Sequence, residues 1–177
     1  MSDQTPNFEE FYGYKFEELS VGQSAVYART VTEADILMFA GVSGDFNPVH
    51  INEELAASTM FGGRIAHGML SASLISAVLG NRLPGPGTIY LGQTLKFKAP
   101  VRPGDTVTAT ATIKEVMVEK KRAIVETVCT VNGKVVIEGE DATTGRRWPC
   151  VDARLTFLAI DQARKPAPVP PLLLDTE

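Results

Sequence analysis

Residues 68–80 read Gly-Met-Leu-Ser-Ala-Ser-Leu-Ile-Ser-Ala-Val-Leu-Gly, a stretch of helical length with no charge on any face. A helix that is apolar all round either crosses a bilayer or is buried inside a protein. At about 1.5 Å per residue this stretch spans roughly 20 Å, too short for a membrane, and three serines interrupt it. It therefore predicts a central helix buried on nearly all sides. The rest of the chain must wrap it.

The second half of the chain supplies a wrapper. Thr106-Val107-Thr108-Ala109-Thr110-Ala111-Thr112-Ile113 alternates with period two and is rich in β-branched residues, which predicts a half-buried strand over 106–118. Further strands are expected over 24–31, 88–99, 123–131, 134–140 and 155–160. Asn132-Gly133 between two such runs is the strongest short hairpin signal. Thr32, with Asp35 three positions on, caps a helix whose apolar stripe is Ile36, Phe39 and Ala40 and which stops at Ser43-Gly44. A short helix is expected over 52–58. One buried helix followed by an antiparallel meander is an α+β protein. The expected organisation is one domain over 1–160 and a proline-rich, flexible tail over 161–177.

Charge and cysteine usage narrow the function classes. Seventeen Lys and Arg against twenty-one Asp and Glu give a net charge of −4, which argues against a general nucleic-acid binder. Cys129 and Cys150 form no CxxC and have no nearby histidine, so zinc-finger and thioredoxin-type readings fail. Two thiols in a reducing cytosol are expected rather than a disulfide. The polar, acidic start is not a signal peptide, and a cytoplasmic protein that does not act at a membrane is expected.

The chain has two histidines, His50 and His67. Asp45 and His50 are five apart, a spacing that suits neither one helix face nor one strand face. Asn47-Pro48 must turn the chain if they are to converge. A converging His and carboxylate beside an apolar cavity make an acid–base pair; the alternative is a turn-capping Asp and a satisfied histidine. His67-Gly68 opens the apolar helix, whose free N–H groups suit an oxyanion or a thioester oxygen; the alternative is a simple cap and a close approach of the sheet. The acidic residues form no metal-ligand cluster, so no metal is expected.

The string Ser43-Gly44-Asp45-Phe46-Asn47-Pro48-Val49-His50 with Ala56 beyond it resembles the signature of the MaoC-like, R-specific enoyl-CoA hydratases. So do the run from Phe61-Gly62-Gly63 to His67-Gly68-Met69-Leu70 and the run from Leu83 to Gln93. The likeness covers roughly residues 14 to 140. It implies a hot-dog fold, a sheet wrapped round a long central helix. It also implies a homodimer or higher homo-oligomer and cofactor-free, reversible hydration of trans-2-enoyl-CoA to (R)-3-hydroxyacyl-CoA. By that resemblance Asp45 and His50 are the catalytic pair and Gly68 offers its N–H to the thioester oxygen. Ser76 is then a pocket-side serine near the catalytic pair, Leu79 shapes the acyl tunnel, and Asn47 holds the turn. Other outcomes of the same likeness are a dehydratase on acyl carrier protein or on a branched or dicarboxylic enoyl-CoA, a thioesterase, or a non-catalytic acyl-thioester-binding subunit. Residues 141–154 depart from the family's pattern, which usually runs from Glu-Gly-Glu into a final apolar strand.

Overall fold

The computed structural model describes residues 13–139 and two short strands further on, Ala159–Ile160 and Pro166–Ala167. The chain divides into two compact units, Met1–Arg146 and Arg147–Glu177. Cys150, the segment 141–154, residues 155–158 of the expected last strand and most of the tail lie outside the described residues.

The first unit runs β1 (Ser24–Thr30), α1 (Glu33–Ser43), α2 (Pro48–Ile51), α3 (Glu53–Ala57), α4 (Gly68–Asn81), β2 (Leu95–Phe97), β3 (Thr106–Met117), β4 (Arg122–Val131) and β5 (Lys134–Gly139). The strands form one antiparallel sheet in the order β1-β3-β4-β5-β2, and α4 packs against β1, β3 and β4. In the second unit β6 (Ala159–Ile160) and β7 (Pro166–Ala167) pair antiparallel as their own two-stranded sheet.

The alternation of β3 sets the core. Val107, Ala109, Ala111 and Ile113 are fully buried, while the intervening threonines point away. The alanines keep the centre of the sheet shallow, and Ile75 and Val78 of α4 fill that space in the same cluster. One row crosses the whole sheet: Tyr27, Ala109, Cys129, Ile137 and Phe97. Its last member, Phe97, reaches the start of α4. The expected hairpin is present: Asn132 and Gly133 both take positive φ, 49° and 76°, between Val131 and Lys134.

Two expectations are corrected. The strand expected over 88–99 is regular only at Leu95–Phe97. Its earlier part follows the turn-rich 83–87 segment and contains Gly92, and Tyr90, Leu91, Gly92 and Gln93 line a groove instead of a ladder. Among the described residues the apolar helix is not covered on nearly all sides. Ser71, Ala72, Leu74, Ile75, Val78 and Leu79 are buried, but Met69, Ser73 and Ser76, spaced four and three apart, form an exposed stripe.

The start of α1 holds as expected and carries a test. Thr32 Oγ1 accepts from the Asp35 N–H at 3.2 Å and donates to Asp35 Oδ2 at 2.7 Å. The Thr32 N–H donates to the same oxygen at 2.8 Å, and Arg29 pairs with Oδ1. Hydrogen bonds from the Thr32 hydroxyl and backbone, then the Arg29 charge, hold the Asp35 carboxyl below the usual carboxylate range against the opposing effect of burial. A carboxyl depressed in the folded state contributes stability that is present above its unfolded value, about 3.9, and is lost as pH falls through the folded value. Thr32→Ala is therefore expected to cost about 0.5–2 kcal/mol at neutral pH. It should also flatten the loss of stability below about pH 4; urea unfolding at several pH values reads both.

Candidate active site

The 43–50 segment is a chain of local hydrogen bonds dictated by its residue types. Gly44 ends α1 in the left-handed region (φ 76°) and returns its N–H to the Ala40 carbonyl at 2.9 Å. The Asp45 N–H donates to Ser43 Oγ at 3.2 Å, and the Asn47 N–H donates to Asp45 Oδ1 at 3.1 Å. Asn47 Oδ1 then accepts from the Val49 N–H at 3.2 Å, capping α2, whose first residue is Pro48. Proline suits that position because its fixed φ is already helical and the missing N–H has no partner there. Asn47 thus holds the turn, as the sequence led us to expect. The single turn of α2 was not read from the sequence; it carries His50 back over Asp45.

A donor or acceptor atom from each of Asp45, His50 and His67 lies within 4.8 Å of the other two. Asp45 is exposed; His50 and His67 are 8% and 2% exposed. His50 Nδ1 faces the Ile65 carbonyl at 2.8 Å. A carbonyl can only accept, so Nδ1 carries a proton and Nε2 is the ring atom left for the cluster. His67 Nε2 faces the Asp45 backbone carbonyl at 2.9 Å and is protonated by the same argument. The two rings stack, with centroids 3.8 Å apart and planes 31° apart. Each ring gives one nitrogen to a carbonyl and keeps the other. In ligand type and spacing the three residues also form a set that could hold a metal ion, which the acidic residues alone did not suggest.

Gly68 is the first residue of α4, and His67 before it makes no side-chain cap. The first N–H groups of the helix therefore have no intrahelical partner and present partial positive charge beside the cluster. Phe97 explains why the position is glycine: a Cβ on Gly68 would stand 2.8 Å from the Phe97 ring. The two alternatives weighed for Gly68, an N–H donor and a close approach of the sheet, are compatible in the one position.

The remaining candidates separate. Ser76 lines an open groove of about 490 Å³ with Phe39, Met69, Ser73 and Tyr90 among its walls. Along α4 it stands about 12 Å from Gly68. Leu79 is buried in the core cluster and is not among the groove residues. Cys129 is a free, buried thiol that burial pushes up to about 11, so it is no nucleophile at neutral pH. Arg64 bonds Glu33 of α1 and Glu53 of α3, tying down the turn that leads to His67.

The sequence leaves His67 either as a simple cap or as part of a helix start suited to an oxyanion, and neither reading assigns its ring a partner. The structure instead packs it against His50 and bonds it to Asp45. The signal available was that both histidines of the chain border this one loop and that the second opens the apolar helix.

The fold is an antiparallel sheet on one helix, with Asp45, His50 and His67 gathered at the helix start. Residues 18–138 match the MaoC like domain, and the chain belongs to that family. It is 63% identical over 125 residues to an (R)-specific enoyl-CoA hydratase of Rhodospirillum rubrum, covering 71% of this chain and 87% of that protein. It is 48% identical to a 3-hydroxybutyryl-CoA dehydratase of Methylorubrum extorquens, covering 71% of this chain and 80% of that one. Among solved structures it is similar to the unliganded R-hydratase PhaJ1 of Pseudomonas aeruginosa, with a TM-score of 0.69 and 47% identity over 73% of this chain and 83% of the other. The R-hydratase of A. caviae gives 0.68 and 43%, over 71% and 96%. The fold is the hot-dog fold the sequence led us to expect.

Proposed function

We propose that the protein is an (R)-specific enoyl-CoA hydratase, adding water reversibly to trans-2-enoyl-CoA. The observation that carries this is the meeting of Asp45 and His50 within 4.8 Å beside the unpartnered N–H groups at the start of α4. Attack of water on C3 puts negative charge on the thioester oxygen. The Gly68 N–H, at the positive end of the helix, stabilises that charge as it develops. One water proton passes to His50 Nε2 as the C3–O bond forms, and the pair returns a proton to C2 through Asp45. Two interacting groups share these protons as a unit. Ser76 and the groove beside it accept the acyl chain, and Leu79, buried on the core side of α4, shapes the tunnel from within.

The proposal includes a homodimer and a cytoplasmic location. Leu37, Met38, Val42 and Met69 are more than half exposed, an apolar surface that a second copy covers. No helix among the described residues is long and apolar enough to cross a membrane. Loss of the enoyl-thioester absorbance with crotonyl-CoA, set against crotonyl-acyl carrier protein, tests the substrate class. The CoA ester is expected to react with the higher kcat/KM. Preference for the carrier-protein ester would move the assignment to a dehydratase of acyl-carrier-protein substrates.

A further inference from the structure

We propose that His67 is a positioning residue for this site, holding Asp45 by its backbone and backing His50 with its ring. The inference rests on the hydratase reading above for its kinetic consequence, but its structural content is independent of it. The His67 ring is buried between Phe39, centroid 5.0 Å away, and His50, centroid 3.8 Å away. Its Nε2–H reaches across 22 residues of chain to the Asp45 carbonyl at 2.9 Å. It therefore joins α1, the Asp45 turn, α2 and the start of α4.

Packing alone does not account for a histidine there. Its Nδ1 is buried without a hydrogen-bond partner, as is Ser71 Oγ one turn along. An unpaired buried nitrogen costs stability, and a phenylalanine would fill the same slot between two rings without that cost. What phenylalanine lacks is the donor. That donor fixes the main chain of Asp45, while the Asn47 N–H fixes its carboxylate at Oδ1. Asp45 is exposed and lies on a turn, so without His67 only local bonds hold it. The ring face also stops His50 from tilting away from the carboxylate.

The test compares His67→Phe, which keeps the ring and loses the donor, with His67→Gln, whose carboxamide N–H reaches the Nε2 position. Two readouts are used: kcat and KM with crotonyl-CoA, and amide hydrogen exchange at Asn47, which reports whether the Asp45 carboxylate is held. His67→Phe is expected to lower kcat by about 10- to 100-fold, since small displacements of a reacting group cost up to about 10². KM should change little and exchange at Asn47 should quicken. His67→Gln should recover most of the rate and most of the protection. A folded His67→Phe with wild-type kcat and wild-type exchange at Asn47 would overturn the proposal, as would His67→Gln behaving no better than His67→Phe. If the wild-type protein does not hydrate crotonyl-CoA, the hydratase reading fails and exchange at Asn47 alone decides on His67. Should His67→Phe not fold, His67→Met against His67→Gln makes the same comparison.

Discussion

Replacing His50 by Gln is expected to lower kcat for crotonyl-CoA hydration by about 10²–10⁴-fold, the usual worth of a placed acid–base group. The imidazole is held by its Nδ1–H on the Ile65 carbonyl, which leaves Nε2 as the proton acceptor. The Gln carboxamide offers no comparable base at the Nε2 position. Asp45→Asn is expected to cost a similar factor, because the amide still accepts from the Asn47 N–H yet cannot take up the shared proton. The double variant should lose little more than either single one, since the two act as a unit. Circular dichroism and urea unfolding must show both variants folded. A folded His50→Gln with a rate near that of the wild type would remove His50 from the mechanism.

The second large effect is expected at Gly68. Proline is tolerated at the first position of a helix, and His67 before it already has the extended ψ of 135° that a following proline demands. Gly68→Pro thus keeps α4 while deleting the N–H assigned to the thioester oxygen. Both Gly68→Pro and Gly68→Ala place a Cβ against the Phe97 ring, so the two variants share that clash. The ratio of the two variants therefore isolates the donor. Gly68→Pro should fall below Gly68→Ala by about 10²–10³-fold in kcat, the worth of one oxyanion donor. Equal rates for the two would show that the N–H is not used and that glycine serves only the approach of Phe97.

The parts of this molecule that the sequence made legible are those fixed by local chemistry. The Thr32–Asp35 cap, the Asn132-Gly133 turn and the alternation of β3 each depend on residues a few positions apart, and each appears where its pattern placed it. The 88–99 stretch misled because its composition says nothing of a partner; among the described residues β5 pairs with it only from Ile137 to Gly139. The exposed stripe on α4 was hidden for the opposite reason: an uncharged helix face looks the same whether its own sheet, a second copy or an acyl chain covers it. Asp45 and His50 were legible as a motif, but their convergence depends on the single turn of α2. His67 could not be placed from spacing. Its partners, Phe39, Asp45 and His50, are brought to it only when α1, the turn and α4 pack together.

Crotonyl-CoA is incubated with the protein and, in parallel, with folded Asp45→Asn, and the 3-hydroxybutyryl-CoA formed is resolved on a chiral column. The R alcohol is expected from the wild-type protein and almost none from the variant. An S product, or bound crotonyl-CoA that is never hydrated, would contradict the (R)-specific hydratase reading.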